Sequence, residues 1–203
     1  MNEFLNKLNK ITVVYYLFFM VYYLICHGSE MSFSKILTTL CIIPIIMVPY
    51  LVNKVFHYRM SETLKLIYYV FTYIALVLGS IVGLYHSTSW LDLVAHFLSG
   101  IVSCIGSLIL LKEMKVLKKM KPSFLVIFLL SISLSIASLW EFFEFGSNKI
   151  FGGDPQFVEK TGVNDTMEDM LIAFLGSIFF TIIFTFKLTK NYNKTMKSLE
   201  RII

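Results

Sequence analysis

The chain has 203 residues, of which 57% are hydrophobic, 16% aromatic and only 15% charged, and its mean hydropathy is +0.74. A soluble domain of that length cannot bury so much apolar surface, so the composition excludes a water-soluble globular protein and places the chain in a membrane. The net charge of +5 follows from the sidedness of Lys and Arg and from anionic headgroups, and no nucleic-acid partner is needed to explain it.

Six segments are long and apolar enough to cross a hydrocarbon core about 30 Å thick. In chain order they are Ile11–Cys26, Ile36–Val52, Leu64–Tyr85, Trp90–Leu111, Ser123–Phe145 and Met167–Phe186. The first is short enough to be a signal-peptide core, but no small-residue cleavage site follows it, so it reads as an uncleaved span. The first three carry no acidic residue and are rich in Tyr and Phe, which suits helix packing, interfacial belts or an apolar wall. Gly79 and Gly83 form a GxxxG on the third and predict a close helix contact. Cys26, Cys41 and Cys104 lie in or at the end of spans and show no pairing pattern, so free buried thiols are expected. No repeat interrupts the chain, and residues 1–203 read as a single polytopic membrane domain.

Orientation follows from the basic residues, which are retained on the cytoplasmic side. Fifteen of the 18 fall on one side, in the N-terminus, the loop around Lys54 and Arg59 with Lys65 beside it, the Lys112–Lys121 loop and the tail after Phe186. The other side has Lys35, Lys149 and Lys160. Both termini are therefore expected in the cytoplasm.

The last three spans carry the ionisable residues. Asp92 and His96 are spaced four apart, Glu141 and Glu144 three apart, and Asp165 and Asp169 four apart with Glu168 between them. Such spacings share a helix face. Each face continues in small or weakly polar residues: Ser99, Ser103 and Ser107 below His96; Ser138, Ser135 and Ser131 below Glu141; Ala173, Gly176 and Ser177 below Asp169. Stripes of that kind mark helix contacts in membranes, so the three faces are expected to point at one another. At about 1.5 Å per residue, His96, Glu141 and Asp169 all fall within one or two turns of the same outer boundary. Capping is the competing explanation for Asp165 with Glu168, which has capping-box spacing, and for Asp92 near a helix start. It does not extend to His96, Glu141 and Asp169, which lie inside the apolar run, where an ionisable group is by default functional.

Several carboxylates held together repel unless a cation compensates them. The set Asp92, His96, Glu141, Glu144, Asp165 and Asp169 therefore reads as ligands for a divalent metal (Mg, Mn, Ca, Fe or Zn), its oxygen-rich character suiting the first four better than a structural zinc site. Glu141 and His96 are the candidate catalytic groups. A metal there activates water or polarises a phosphoryl or carbonyl oxygen, whereas a proton or cation pathway is the competing use of the same groups. No nucleophile elbow or glycine-rich phosphate loop occurs. The outer connection Phe151–Asn164, with Gly152, Gly153, Pro155 and Gly162, reads as a flexible lid.

The order Asp92-x-x-x-His96 with Gly100, Glu141-x-x-Glu144, and Asp165-Thr166-Met167-x-Asp169-Met170 with Gly176 resembles the YjdF-like family of small bacterial inner-membrane proteins over about residues 85–186. The layout is more distantly similar to VanZ-like proteins, although the basic residue those carry after the second acidic motif has no counterpart here. The first resemblance implies no established activity, and the second only a link to the cell envelope and glycopeptide susceptibility. The expectation is an all-α integral membrane protein of six transmembrane helices in the bacterial inner membrane. Its carboxylate and His pocket faces outward and serves a metal-dependent hydrolase or transferase acting on a lipid-linked or headgroup substrate. A small ion-coupled transporter and a non-catalytic protein with a structural cation are the competing readings.

Overall fold

The structure is a computed structural model that describes residues 2–31, 33–56, 60–152, 156 and 158–190. Among them every regular element is helical. Its contacts divide into one unit from Met1 to Thr88 and a second that begins at Ser89.

The first unit contains α1 (Asn2–His27), α2 (Phe33–Ile46), α3 (Val48–Phe56), α4 (Glu62–Thr72), a π-helical continuation of α4 (Tyr73–Ile81) and the short α5 (Leu84–Ser87). Its core is Tyr16, Met20, Ile42, Ile46, Tyr69, Val77 and Ile81. The aromatic residues of this half thus serve packing first, while Phe18 and Tyr22 stay on the surface. Ser61 caps α4 through its hydroxyl, which accepts from the Leu64 amide at 3.2 Å.

The segment expected as the second span is interrupted at Met47, between α2 and α3. Pro49 has no N–H and cannot bond to the carbonyl four residues earlier, that of Ile45. The Tyr68 hydroxyl donates to that carbonyl instead, at 2.6 Å. The π-helical turn is supported in the same way, with Tyr85 donating to the Ala75 carbonyl at 2.8 Å and Tyr23 to that of Ile81 at 2.9 Å. Three tyrosines thus supply donors where the helices depart from α geometry. Tyr68→Phe is accordingly expected to cost about 1–3 kcal/mol by orphaning a carbonyl. Tyr15→Phe, which removes only an exposed hydroxyl pair to Tyr73 at 3.3 Å, is expected to cost less than about 0.5 kcal/mol. Thermal denaturation in detergent compares the two.

The GxxxG expectation is corrected by the same region. A Cβ on Gly79 would lie 2.1 Å from Cζ of Tyr85, so the space beside this glycine holds a ring from α5 and not another spanning helix. Gly83 has φ 85° and makes the left-handed turn into α5.

The second unit contains α6 (Ser89–Glu113), α7 (Pro122–Phe151), α8 (Val158–Thr161) and α9 (Asn164–Lys190). The basic loop turns at Lys115, φ 59°, passes a 3-10 turn at Leu117–Lys119 and places Pro122 at the start of α7, where a missing N–H costs nothing. α6 and α9 meet backbone to backbone. A Cβ on Gly100 would sit 1.9 Å from the Ala173 oxygen, and one on Gly176 would sit 2.0 Å from the Phe97 oxygen.

The stripes predicted below His96 and Asp169 are buried as expected at Ser103, Ser107, Ala173 and Ser177. The stripe on α7 is not the predicted one. Leu125, Leu129, Ser133, Ala137 and Glu141, four residues apart, form its buried face. Ser131 and Ser135 are exposed, and Ser135 bonds back to the carbonyl of Ser131. Ser138 is intermediate, its hydroxyl 3.5 Å from the Met170 sulfur.

Among the described residues five helices are long and apolar enough to cross a membrane: Glu3–His27, Glu62–Ile81, Trp90–Lys112, Pro122–Ile150 and Asn164–Phe186. The three cysteines are free, but only Cys104 is buried, which corrects the expectation for Cys26 and Cys41.

Candidate metal centre

The close approach at Gly100 and Gly176 decides which side chains meet one turn above it. His96 and Asp92 precede Gly100 on α6, and Asp169 lies two turns before Gly176 on α9, so a parallel crossing brings them to the same level. His96 Nε2 lies 3.5 Å from Asp92 Oδ1 and 3.4 Å from Asp169 Oδ2. One ligand atom from each of these residues lies within 4.8 Å of the others. Their side chains are 13%, 16% and 5% exposed for His96, Asp92 and Asp169.

Those separations are long for a charge-assisted hydrogen bond, which prefers about 2.7–2.9 Å. They are close to the edge of a tetrahedron, about 3.4 Å, built on ligand bonds of about 2.1 Å. The three ligand atoms are thus spaced so that they can share a cation.

Of the six predicted ligands, Asp92, His96 and Asp169 are brought together, while Glu141, Glu144 and Asp165 stand around them without joining the group. They are nonetheless close enough to act on it electrostatically: Asp169 feels Asp92, Asp165 and Glu141, and Glu144 feels Glu141, Asp169 and Asp92. Glu141 is buried, with Oε2 accepting from Gln156 Nε2 at 3.0 Å, the Thr166 side chain also acting on the carboxylate, and Oε1 making no hydrogen bond within 3.5 Å. Glu144 Oε1 accepts from Trp140 Nε1 at 3.0 Å. Helix α9 begins at Asn164, which puts Asp165 inside its first turn and not at a capping position. The acid still complements the positive end of the helix there. Glu168 is exposed.

Gln156 and Trp140 were not legible as site residues, since neither is ionisable and one lies in a connection. In the expected lid, residues 153–155 and 157 lie outside the described residues, but Gln156 is buried against Glu141 and the short α8 follows it.

The centre has an apolar floor. Cys104, Leu108, Leu111, Leu125, Leu129 and Phe184 are buried beneath it. Three of the intervening hydroxyls bond their own helices, Ser107 to the Ser103 carbonyl at 2.8 Å, Ser177 to that of Phe174 at 2.7 Å and Thr181 to that of Ser177 at 2.9 Å, while Ser133 donates across to the Gly100 carbonyl at 3.5 Å. All four of these bonds run from side chain to backbone.

Comparison with known proteins agrees with the membrane architecture. The chain matches the family described as predicted membrane protein (DUF2238) over residues 8–190. An uncharacterized protein of Thermotoga maritima is 28% identical over 129 residues, a stretch that covers 63% of this chain and 65% of that relative. The match thus spans less than two thirds of the relative's length. No solved structure matches.

Proposed function

The chain belongs to the DUF2238 family of predicted membrane proteins, and from that premise we propose that it is a cation-dependent enzyme of the bacterial inner membrane acting on a lipid-linked or headgroup substrate. The observation that carries the reading is His96 Nε2 poised at 3.5 and 3.4 Å between the carboxylates of Asp92 and Asp169. In this reading those three residues hold a divalent cation, and Glu141 is the general base through its Oε1. Glu144 and Asp165 contribute charge around the centre. The imidazole tilts the preference toward Mn, Fe or Zn over Mg and Ca, whose sites are built of oxygen. Bound there, the cation supplies a Lewis acid for a phosphoryl or carbonyl oxygen.

The reading includes a sixth span, made of α2 and α3 as a broken helix, with both termini in the cytoplasm and the centre facing outward. The bias of basic residues supports that orientation. The family match across residues 8–190 supports a single polytopic domain. Exposed Trp90, Phe142 and Met167 near the centre support delivery of the substrate from the lipid leaflet. The apolar floor and backbone-bonded hydroxyls favour an enzyme over a transporter, which needs a polar route through the bilayer.

Right-side-out and inside-out vesicles supplied with Mn2+ and either a short-chain phospholipid or an isoprenyl diphosphate test chemistry and orientation together. Product is expected from right-side-out vesicles only, to be lost in His96→Ala, and to fall about 100- to 10,000-fold in Glu141→Gln. Equal turnover by His96→Ala, or turnover confined to inside-out vesicles, would refute the reading.

A further inference from the structure

Gln156 lies in the connection between α7 and α8, yet it is only 5% exposed. Its Nε2 donates to Oε2 of Glu141 at 3.0 Å and to the Glu141 backbone carbonyl at 3.2 Å. Two acceptors on one residue fix the amide against the carboxylate, and with it the direction of the second carboxylate oxygen. That oxygen, Oε1, is buried and makes no hydrogen bond within 3.5 Å, the Thr166 side chain being the other polar group that acts on this carboxylate. Buried polar atoms are almost always satisfied, and an exception marks a place where a ligand or water completes the set. Glu141 stands outside the Asp92–His96–Asp169 group but within charge range of Asp92 and Asp169. It is therefore placed to receive a hydrogen bond from the hydration shell of a cation held by those three, in the way that carboxylates beyond the ligand sphere orient what the metal carries.

We infer that Gln156 is a positioning residue, holding Glu141 by one oxygen so that the other accepts from a hydrated cation at Asp92, His96 and Asp169. The inference rests on the cation reading above and assigns to Gln156 a task at the site. An amide suits it better than a carboxylate or an aliphatic side chain. It donates to Glu141 without adding charge to a cluster already rich in acids.

The test is a Mn2+ titration followed by the paramagnetic signal of the free ion, with thermal denaturation in detergent alongside. It compares the wild type, Gln156→Leu, and the reciprocal pair Glu141→Gln with Gln156→Glu. Gln156→Leu is expected to weaken Mn2+ binding by about 10-fold or more, the scale on which partners beyond the ligand sphere act. The reciprocal pair rebuilds the amide to carboxylate bond with the roles exchanged. It is expected to recover the thermal midpoint while affinity stays weakened, because the carboxylate now stands on the connection. Wild-type affinity in Gln156→Leu, or affinity regained together with the midpoint in the reciprocal pair, would make the contact a structural stitch and overturn the inference while sparing the cation reading. Absence of Mn2+ binding in the wild type would overturn both. If Gln156→Leu fails to fold, the reciprocal pair decides.

Discussion

Gly100→Ala and Gly176→Ala are each expected to destabilise the protein by about 3 kcal/mol or more, at the upper end of what overpacking costs. The reason is geometric. The added carbon would meet the Ala173 oxygen at 1.9 Å in the first case and the Phe97 oxygen at 2.0 Å in the second. Both obstacles are backbone carbonyls in the middle of helices, so no rotamer change relieves the clash and α6 must move away from α9. Separation at that point also opens the distance between His96 and Asp169, so these variants are expected to lose cation binding without altering any ligand. Gly106→Ala and Gly146→Ala are the internal controls, since nothing lies within 4 Å of a Cβ at either position. There the change is expected to be neutral or stabilising by up to about 1 kcal/mol, the helix-propensity gain of Ala over Gly. Thermal midpoints of the four variants in one detergent separate the cases. Similar losses at all four would mean that helix propensity or detergent effects, and not the crossing, dominate.

The elements that were legible in the sequence are those set by charge and close packing. The Asp92 and His96 spacing and the small residues at Ala173, Gly176 and Ser177 each specify a face, and those faces meet. Helix α7 misled because Ser131, Ser135 and Ser138 share one face at helical spacing, while Ser133 lies alone on the opposite face. The inward face is decided by the larger residues in line with Ser133, namely Leu125, Leu129 and Glu141. The broken second span was written in Pro44 and Pro49, which hydropathy does not weigh. Where the Ile45 carbonyl would find its replacement donor was not readable, because Tyr68 lies on another helix. Gln156 carried no local signal at all. A neutral amide becomes part of a site only when the fold sets it against a carboxylate.

Asp169→Asn is expected to reverse the sign of its effect on stability with the cation. Without a divalent ion, Asp169 is a buried carboxyl grouped with Asp92, and a neutral amide there meets neither the desolvation cost nor the like-charge repulsion of an ionised acid. In chelator, the variant is therefore expected to melt at or above the wild-type midpoint. With Mn2+ at about 100 times its dissociation constant, the wild type gains about 2.7 kcal/mol from binding to the folded state alone. The variant is expected to gain almost none, because it has lost one of three ligands, and its affinity should fall on the order of 100-fold or more, beyond the loss typical of outer partners. His96→Asp makes a complementary case: an all-oxygen set is expected to shift preference from Zn and Mn toward Ca and Mg. A carboxylate that served only to cap or pack α9 would behave differently. Its removal would lower the midpoint equally in chelator and in Mn2+, and that parallel loss, measured by the same denaturation curves, would exclude Asp169 as a ligand. The crossing of the two curves reads the difference between a group that the fold needs and a group that the fold tolerates for what it binds.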